Sequence, residues 1–106
     1  MIGDFEYQIL SGIISCGKDA YGSPVKKEVE NTFQRSVSYG ALYTTLSRLE
    51  KKGFIKSELK EATKVRGGRA KKVYTVTGLG QSELREKQNL AISMASATLV
   101  GGVICH

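Results

Sequence analysis

The sequence predicts a mostly helical α+β fold, in which three helices precede a two-stranded β-hairpin and a fourth helix follows it. Two observations predict this order. Apolar residues recur with the 3.6-residue period of a helix up to Gly53, and beyond Gly53 the period changes to the alternation of a strand. A chain of 106 residues suits one unit with a modest core, which oligomerisation would help to stabilise.

The first helix is predicted over residues 3–16, because two apolar stripes run along it. Together they span an arc of about 200 degrees, which is wider than one buried face requires. We therefore expect the second stripe to pack on a partner subunit, with burial of both stripes inside one subunit as the alternative. The stripes consist of Ile2, Phe5, Ile9, Ile13 and Cys16, and of Tyr7, Leu10 and Ile14.

A second, short amphipathic helix is predicted over residues 24–34. Ser23 is suited to cap its first turn, and Pro24 to occupy its first position, where a missing N–H costs little. Gly17 ends the helix before it, and residues 35–37 connect it to the helix after it, which gives a helix-turn-helix. Its apolar face consists of Val25, Val29 and Phe33.

The stretch from Ser38 to Gly53 predicts the third helix, around which the chain is organised. Ser38 can cap its first turn, and Gly53 supplies a stop. Leu42, Leu46 and Leu49 share one face, which we expect to be buried. Alone, this pattern fits an ordinary surface helix as well as a recognition helix. The opposite face carries Gly40, Thr44, Ser47 and Lys51, flanked by Tyr43 and Arg48.

Two antiparallel strands joined by a basic hairpin are predicted beyond Gly53. Apolar or small residues alternate with charged ones over residues 55–60, and residues 73–77 are rich in β-branched and aromatic side chains. The Gly67-Gly68 pair permits positive φ at the hairpin tip. Three helices followed by such a hairpin form a winged helix-turn-helix. The basic residues around the tip are Lys64, Arg66, Arg69 and Lys71.

Positive charge is concentrated in one quarter of the chain. Residues 48–72 hold ten basic and three acidic side chains, hence +7, whereas the whole chain has a net charge of +6. Such a concentration favours a polyanion as the partner, because Lys and Arg bound to phosphates release condensed counterions. A merely solvated basic face is the alternative.

The fourth helix is predicted to begin at Thr77, which can cap it. From Asn89 onward the chain has no Lys, Arg, Asp or Glu, but it is too short and too rich in Ser, Thr and Gly to favour a membrane span. We expect a dimerisation helix that meets the first helix of a partner, with a membrane tail as the less favoured alternative. The predicted dimer contacts are Tyr7, Leu10, Ile14, Leu90, Met94 and Ala97.

The sequence argues against several other classes of protein. The only histidine is His106, and no nucleophile with a base, or set of metal ligands, is visible, so we expect neither an enzyme nor a metal site nor a cofactor. Cys16 and Cys105 lie in apolar surroundings without metal-site spacing, which indicates reduced structural thiols. Asp4 and Glu6 stand where a signal peptide would be positive, so we expect a cytoplasmic protein.

Three motifs together resemble the PadR family of bacterial winged-helix transcription regulators, in its subclass with a short C-terminal helix. They are YG at residues 21–22, GALYTTLSRLEKKGFI at residues 40–55 and GGRAKKVYTVTGLG at residues 67–80, within a resemblance that extends from about Tyr21 to Leu84. The resemblance implies a homodimeric repressor that binds an inverted-repeat operator and dimerises through its C-terminal helix. It also implies that Tyr43 contacts the DNA backbone and that the wing near Arg69 meets phosphate.

The chain departs from the family pattern at Thr44 and in its short C-terminal region, and it also lacks Trp. Thr44 stands where family members often carry Pro, and the absence of Trp means that the tryptophan-lined drug site of one branch cannot be transferred. Effector binding is left open: a small apolar or aromatic effector could lie where the first and last helices meet, and a filled dimer core is the alternative.

These observations predict a winged helix-turn-helix DNA-binding domain over residues 1–77 and a C-terminal dimerisation helix over residues 78–106, packed on the same domain. The third helix would enter the major groove of double-stranded DNA, and the wing would meet phosphates. The alternative is a protein-interaction module whose basic wing meets an acidic protein surface. The predicted DNA contacts are Ser38, Tyr39, Gly40, Tyr43, Thr44, Ser47 and Arg48 from the helix, and Lys64, Arg66, Arg69 and Lys71 from the wing.

Overall fold

The computed structural model of the chain describes residues 2–60 and 71–90, and within these ranges the predicted order of helices and strands is confirmed. A short 3₁₀ turn, Gly17–Asp19, separates the first two helices. The elements are α1 (Asp4–Cys16), α2 (Gly22–Phe33), α3 (Tyr39–Lys51), β1 (Ile55–Lys60), β2 (Lys71–Val76) and α4, which covers residues 78–90.

The start of α1 is held by the carboxylate of Glu6. One of its oxygens accepts a hydrogen bond from the backbone N–H of Gly3 at 2.9 Å, which satisfies a group that the helix itself leaves without a partner. The other lies 3.0 Å from Nζ of Lys52, just beyond α3. Burial alone would raise the pKa of Glu6, but these hydrogen bonds and the nearby cations hold that pKa below its ordinary value. Glu6 therefore links the beginning of α1 to the end of α3.

The second apolar stripe of α1 is used partly inside the subunit, which corrects one predicted dimer contact. Leu10 is fully buried in the subunit core, so its side chain is not available to a partner. Tyr7 is half-buried, with its ring edge-on to that of Phe33 at a centroid distance of 6.3 Å. Ile14 is 49% exposed. The arc is wide because α1 packs against α2, α3 and β2, which surround more than one of its faces.

The start of α2 lies two residues earlier than predicted. Tyr21 occupies the N-cap position, and its carbonyl accepts the first helical hydrogen bond from the N–H of Val25 at 3.1 Å. The prediction of Ser23 as the cap is therefore wrong, and Pro24 is the third residue of the helix. This placement costs little, because the N–H groups of the first turn have no partner within the helix in any case.

The helix α3 follows the prediction closely. The hydroxyl of Ser38 accepts a hydrogen bond from the N–H of Ala41 at 3.1 Å, which confirms Ser38 as the cap. Gly53 has φ of 80°, a conformation that glycine adopts without strain, and this confirms the predicted stop. The predicted leucine face is buried, and Thr45 is buried beside it at 4% exposure. The leucines of this face are Leu42, Leu46 and Leu49.

The two strands form an antiparallel pair with Ile55 opposite Val76 and Lys60 opposite Lys71. Near the helices the sheet is part of the core, where Ile55, Tyr74 and Val76 are buried. At the far end of β1, Leu59 is 71% exposed. The predicted hairpin tip with its Gly67-Gly68 pair lies outside the described residues.

Thr77 directly follows β2 and caps α4, as predicted. Its hydroxyl accepts a hydrogen bond from the N–H of Gly80 at 3.1 Å and donates one to the carbonyl of Gly53 at 2.6 Å. Leu84 enters the same core as the first three helices, and Nζ of Lys87 lies 2.8 Å from a carboxylate oxygen of Asp4. None of the helices within the described ranges has the length and apolarity needed to cross a membrane. The division of the chain into two regions at residue 77 stays a prediction.

Candidate nucleic-acid interface

All seven predicted contact residues of the third helix lie on the surface. The side opposite the buried leucines is free because a helix that buries every third or fourth residue turns the intervening positions outward. The structure therefore brings the predicted helix contacts together on one exposed surface, which we call the α3 face. It consists of Ser38, Tyr39, Gly40, Tyr43, Thr44, Ser47 and Arg48.

Two tyrosines dominate the first half of the α3 face. Tyr39 and Tyr43 are one helical turn apart, and their rings stack with centroids 6.1 Å apart and planes inclined by 17°. They are 50% and 47% exposed. About half of each side chain is therefore accessible to a partner, while the other ring limits its rotation.

The ring of Tyr43 packs against Gly22, the first residue of α2. Gly22 is buried, and a Cβ atom placed on it would overlap the Tyr43 hydroxyl and lie 2.9 Å from Cζ. Only a residue without a side chain allows the ring to lie there. Tyr21-Gly22 contributes to the family resemblance in the sequence, but its contact with Tyr43 has no local sequence signal because the two partners are far apart in the chain.

The turn between α2 and α3 is held by the side chain of Glu30, which was not among the predicted site residues. A carboxylate oxygen of Glu30 accepts a hydrogen bond from the N–H of Val37 at 2.9 Å, one residue before the cap of α3. The same carboxylate binds Nζ of Lys26 at 3.1 Å. The hydrogen bond from Val37 and then the contact with Lys26 hold the pKa of Glu30 below its ordinary value. The i,i+4 spacing of Lys26 and Glu30 was the available sequence signal.

The base of the wing is attached to the connection between α1 and α2. The N–H of Tyr74 donates a hydrogen bond to the carbonyl of Ala20 at 2.8 Å. Nζ of Lys71 lies 4.1 Å from the centroid of the Tyr21 ring, within the range of a cation–π contact. Lys71 is thus the one predicted wing cation within the described residues. The others, Lys64, Arg66 and Arg69, lie outside them.

Ion pairs reduce the charge that is available to a polyanion. Glu50 lies 3.6 Å from Nζ of Lys72 and also accepts a hydrogen bond from the Ser57 hydroxyl at 2.6 Å. Lys52 is paired with Glu6. In the part of the chain that the structure describes, Arg48 and Lys51 have no ion pair within bonding distance and are exposed.

The same part of the chain contains no group of three or more His, Cys, Asp or Glu side chains arranged to hold a metal ion. Burial first, and then Glu28 and Asp19, raise the pKa of the Cys16 thiol, which is unlike an activated nucleophile. The groups that the α3 face offers to a partner are hydroxyls, two aromatic rings and the guanidinium of Arg48.

A helix-turn-helix whose last helix has an exposed polar and aromatic face, with a two-stranded wing beside it, defines a winged-helix protein of the kind that contacts nucleic acids. The model of the transcriptional regulator PadR-like family matches residues 9–86. The chain therefore belongs to the PadR-like family and is a transcription regulator.

Solved structures of the same family resemble the chain along most of its length. A PadR-like transcription factor from Bacteroides fragilis is 27% identical, with 89% of this chain and 85% of that one covered and a TM-score of 0.70. A PadR-like regulator from Bacillus cereus is 28% identical, with coverage of 91% and 89% and a TM-score of 0.69. A PadR family regulator from Clostridium difficile is 30% identical, with coverage of 92% and 98% and a TM-score of 0.68. Among curated proteins no match was found.

Proposed function

We propose that the protein is a transcriptional repressor that binds an inverted-repeat operator in double-stranded DNA as a homodimer. The observation that carries this proposal is the α3 face, which is polar and aromatic, exposed, and anchored from behind by three buried leucines. A helix held in this way can enter the major groove without rearrangement of the core. Acting on genomic DNA, the protein would work in the cytoplasm.

Each residue type on the α3 face suits a part of the duplex. Arg48 carries five N–H donors and a permanent charge, which match a guanine edge or a phosphate. The hydroxyls of Thr44 and Ser47 can contact base edges, and those of Ser38 and Tyr43 can contact phosphates. In a twofold dimer, two such helices would lie about 34 Å apart, in successive major grooves.

The dimer is supported by apolar side chains that the subunit leaves uncovered. Ile14 on α1 and Leu90 on α4 are 49% and 41% exposed. Ile14 also borders an open groove together with Leu84 and Arg85 of α4, so α1 and α4 share one surface. We propose that a second copy covers it. The predicted contacts Met94 and Ala97 lie outside the described residues.

Selection of duplexes from a random pool tests this proposal. We expect enrichment of an inverted repeat with half-sites about one helical turn apart. If each dimer neutralises roughly eight phosphates, the logarithm of affinity should fall with the logarithm of salt concentration at a slope near −7. Arg48→Ala should weaken operator binding by about tenfold or more, because each subunit loses a contact of about 1–3 kcal/mol.

Lys27→Ala is the control, since it also removes one positive charge from an exposed position, which lies on α2 and borders neither the α3 face nor the groove between α1 and α4. It should change operator affinity by less than about twofold. If no sequence is enriched and binding to any duplex is weak, the proposal is wrong. The protein would then be an interaction module that meets an acidic protein surface.

We also propose that a small apolar or aromatic effector relieves DNA binding. A second groove, of about 370 Å³, lies between α1 and the sheet. Apolar side chains border it, among them Ile13, Ile14 and Val73, and so do the charged side chains of Lys18 and Glu58. A ligand there would change the separation of the two α3 faces only if it bound two dimer arrangements unequally. Titration of aromatic and apolar compounds against a preformed operator complex should release the DNA. Release by none of them would indicate a constitutive binder.

A further inference from the structure

The carboxylate of Glu30 joins three parts of the helix-turn-helix. It accepts the N–H of Val37 at 2.9 Å, which fixes the chain just before α3. Both of its oxygens lie within 3.2 Å of Nζ of Lys26 on the preceding turn of α2. The side chains of Lys26 and Glu30 are only 23% and 27% exposed, so the pair is held between the two helices.

The ammonium of Lys26 lies next to the α3 face as well. Its Nζ is 5.3 Å from the centroid of the Tyr39 ring, within cation–π range. Tyr39 in turn stacks on Tyr43. A continuous set of contacts therefore runs from Glu30 through Lys26 and Tyr39 to Tyr43.

We propose that Glu30 is a positioning and specificity-determining residue, which holds Lys26 against Tyr39 and thereby fixes the stacked tyrosines and keeps Lys26 away from phosphates. This inference rests on the proposed DNA binding. A free lysine at the edge of the interface would contact phosphates of any sequence and strengthen binding without discrimination. A lysine held by a carboxylate adds less to that background, while the fixed rings retain the geometry that one sequence requires.

Glu30→Gln separates this role from a structural one, because the amide oxygen can still accept the N–H of Val37 whereas the charge that holds Lys26 is lost. The matched control is Glu28→Gln on the same helix. It makes the same charge change at a half-buried position that contacts Thr32 and not α3. Both variants are measured on the selected operator and on an unrelated duplex, over a range of salt concentrations.

We expect Glu30→Gln to bind the unrelated duplex about threefold or more tightly, with a salt slope steeper by about two, since each subunit gains one phosphate contact. The ratio of operator to unrelated affinity should fall by about tenfold. Glu28→Gln should keep that ratio within about twofold of the unmodified protein. Equal changes of the ratio in both variants, or none in Glu30→Gln, would overturn the proposal.

A measurement without DNA keeps the inference distinct from the proposed function. Ring resonances of ¹³C-labelled tyrosine should shift for Tyr39 and Tyr43 in Glu30→Gln, with Tyr7 as the unaffected reference. Lys26→Met should shift the same two rings without strengthening binding to the unrelated duplex. If the unmodified protein selects no sequence, the function fails. If it does select one but the rings and the ratio stay unchanged in Glu30→Gln, only the role of Glu30 fails.

Discussion

Leu46→Ala is expected to lower the free energy of unfolding by about 3 kcal/mol, which is a large share of the stability of a small domain. Leu46 is 1% exposed and lies in the middle of the leucine face, so truncation leaves a cavity between α3 and the rest of the core. The effect would be measured by urea denaturation at a fixed protein concentration, because an oligomer's stability depends on concentration.

Leu59→Ala is the control for this change. Leu59 is 71% exposed at the far end of β1, and the same truncation should cost less than about 0.5 kcal/mol there. Similar losses in the two variants would mean that Leu46 does not anchor α3. Because Leu46 holds α3 against the core from behind the α3 face, its loss should also weaken operator binding.

Gly22→Ala is expected to weaken operator binding by about tenfold or more, although Gly22 itself is buried. The added Cβ would occupy the place of the Tyr43 hydroxyl, so the ring must swing away and separate from Tyr39. Since Tyr43 is 47% exposed, the ring can move outward at a modest cost in stability, about 1 kcal/mol. The fall in affinity and the smaller fall in stability would be measured on the same preparation.

A double-mutant cycle with Tyr43→Phe tests the physical cause. Without the hydroxyl the overlap is partly relieved, so Gly22→Ala should cost less stability and less affinity when it is combined with Tyr43→Phe than when it is made alone. Gly78→Ala is the control, because a Cβ there meets nothing within 4 Å. Additive effects in the cycle would show that Gly22 does not act through Tyr43.

Local periodicity was enough to predict most of the fold. The spacing of Leu42, Leu46 and Leu49 identified the buried side of α3, and the hydroxyls of Ser38 and Thr77 identified two helix starts. These features depend on neighbours within a turn or two of the chain, so their signal lies in short stretches of sequence. The start of α2 was misplaced because Pro24 is tolerated throughout a first turn and does not fix the first position.

The composition of the candidate interface was less predictable than its location. The count of basic residues overestimates the free charge, since Lys26, Lys52 and Lys72 are paired with glutamates. Two of these pairs, Lys52 with Glu6 and Lys72 with Glu50, join residues more than one element apart. Ion pairs between residues that are far apart in sequence depend on how the elements pack. They therefore cannot be predicted from the number of charged residues along the chain.

The spacing of the leucines in α3 was enough to predict that the opposite face of this helix is exposed and polar. The contacts that hold this face in place, by contrast, became visible only in the folded protein. Tyr43 lies against Gly22, and Glu30 accepts a hydrogen bond from the N–H of Val37. Lys71 lies over the ring of Tyr21, and Leu10 is buried in the core of the subunit. The physical reason is the separation in sequence between the residues that make the deciding contacts. A helix face follows from contacts three or four residues apart, whereas these four placements follow from the packing of separate elements around one core.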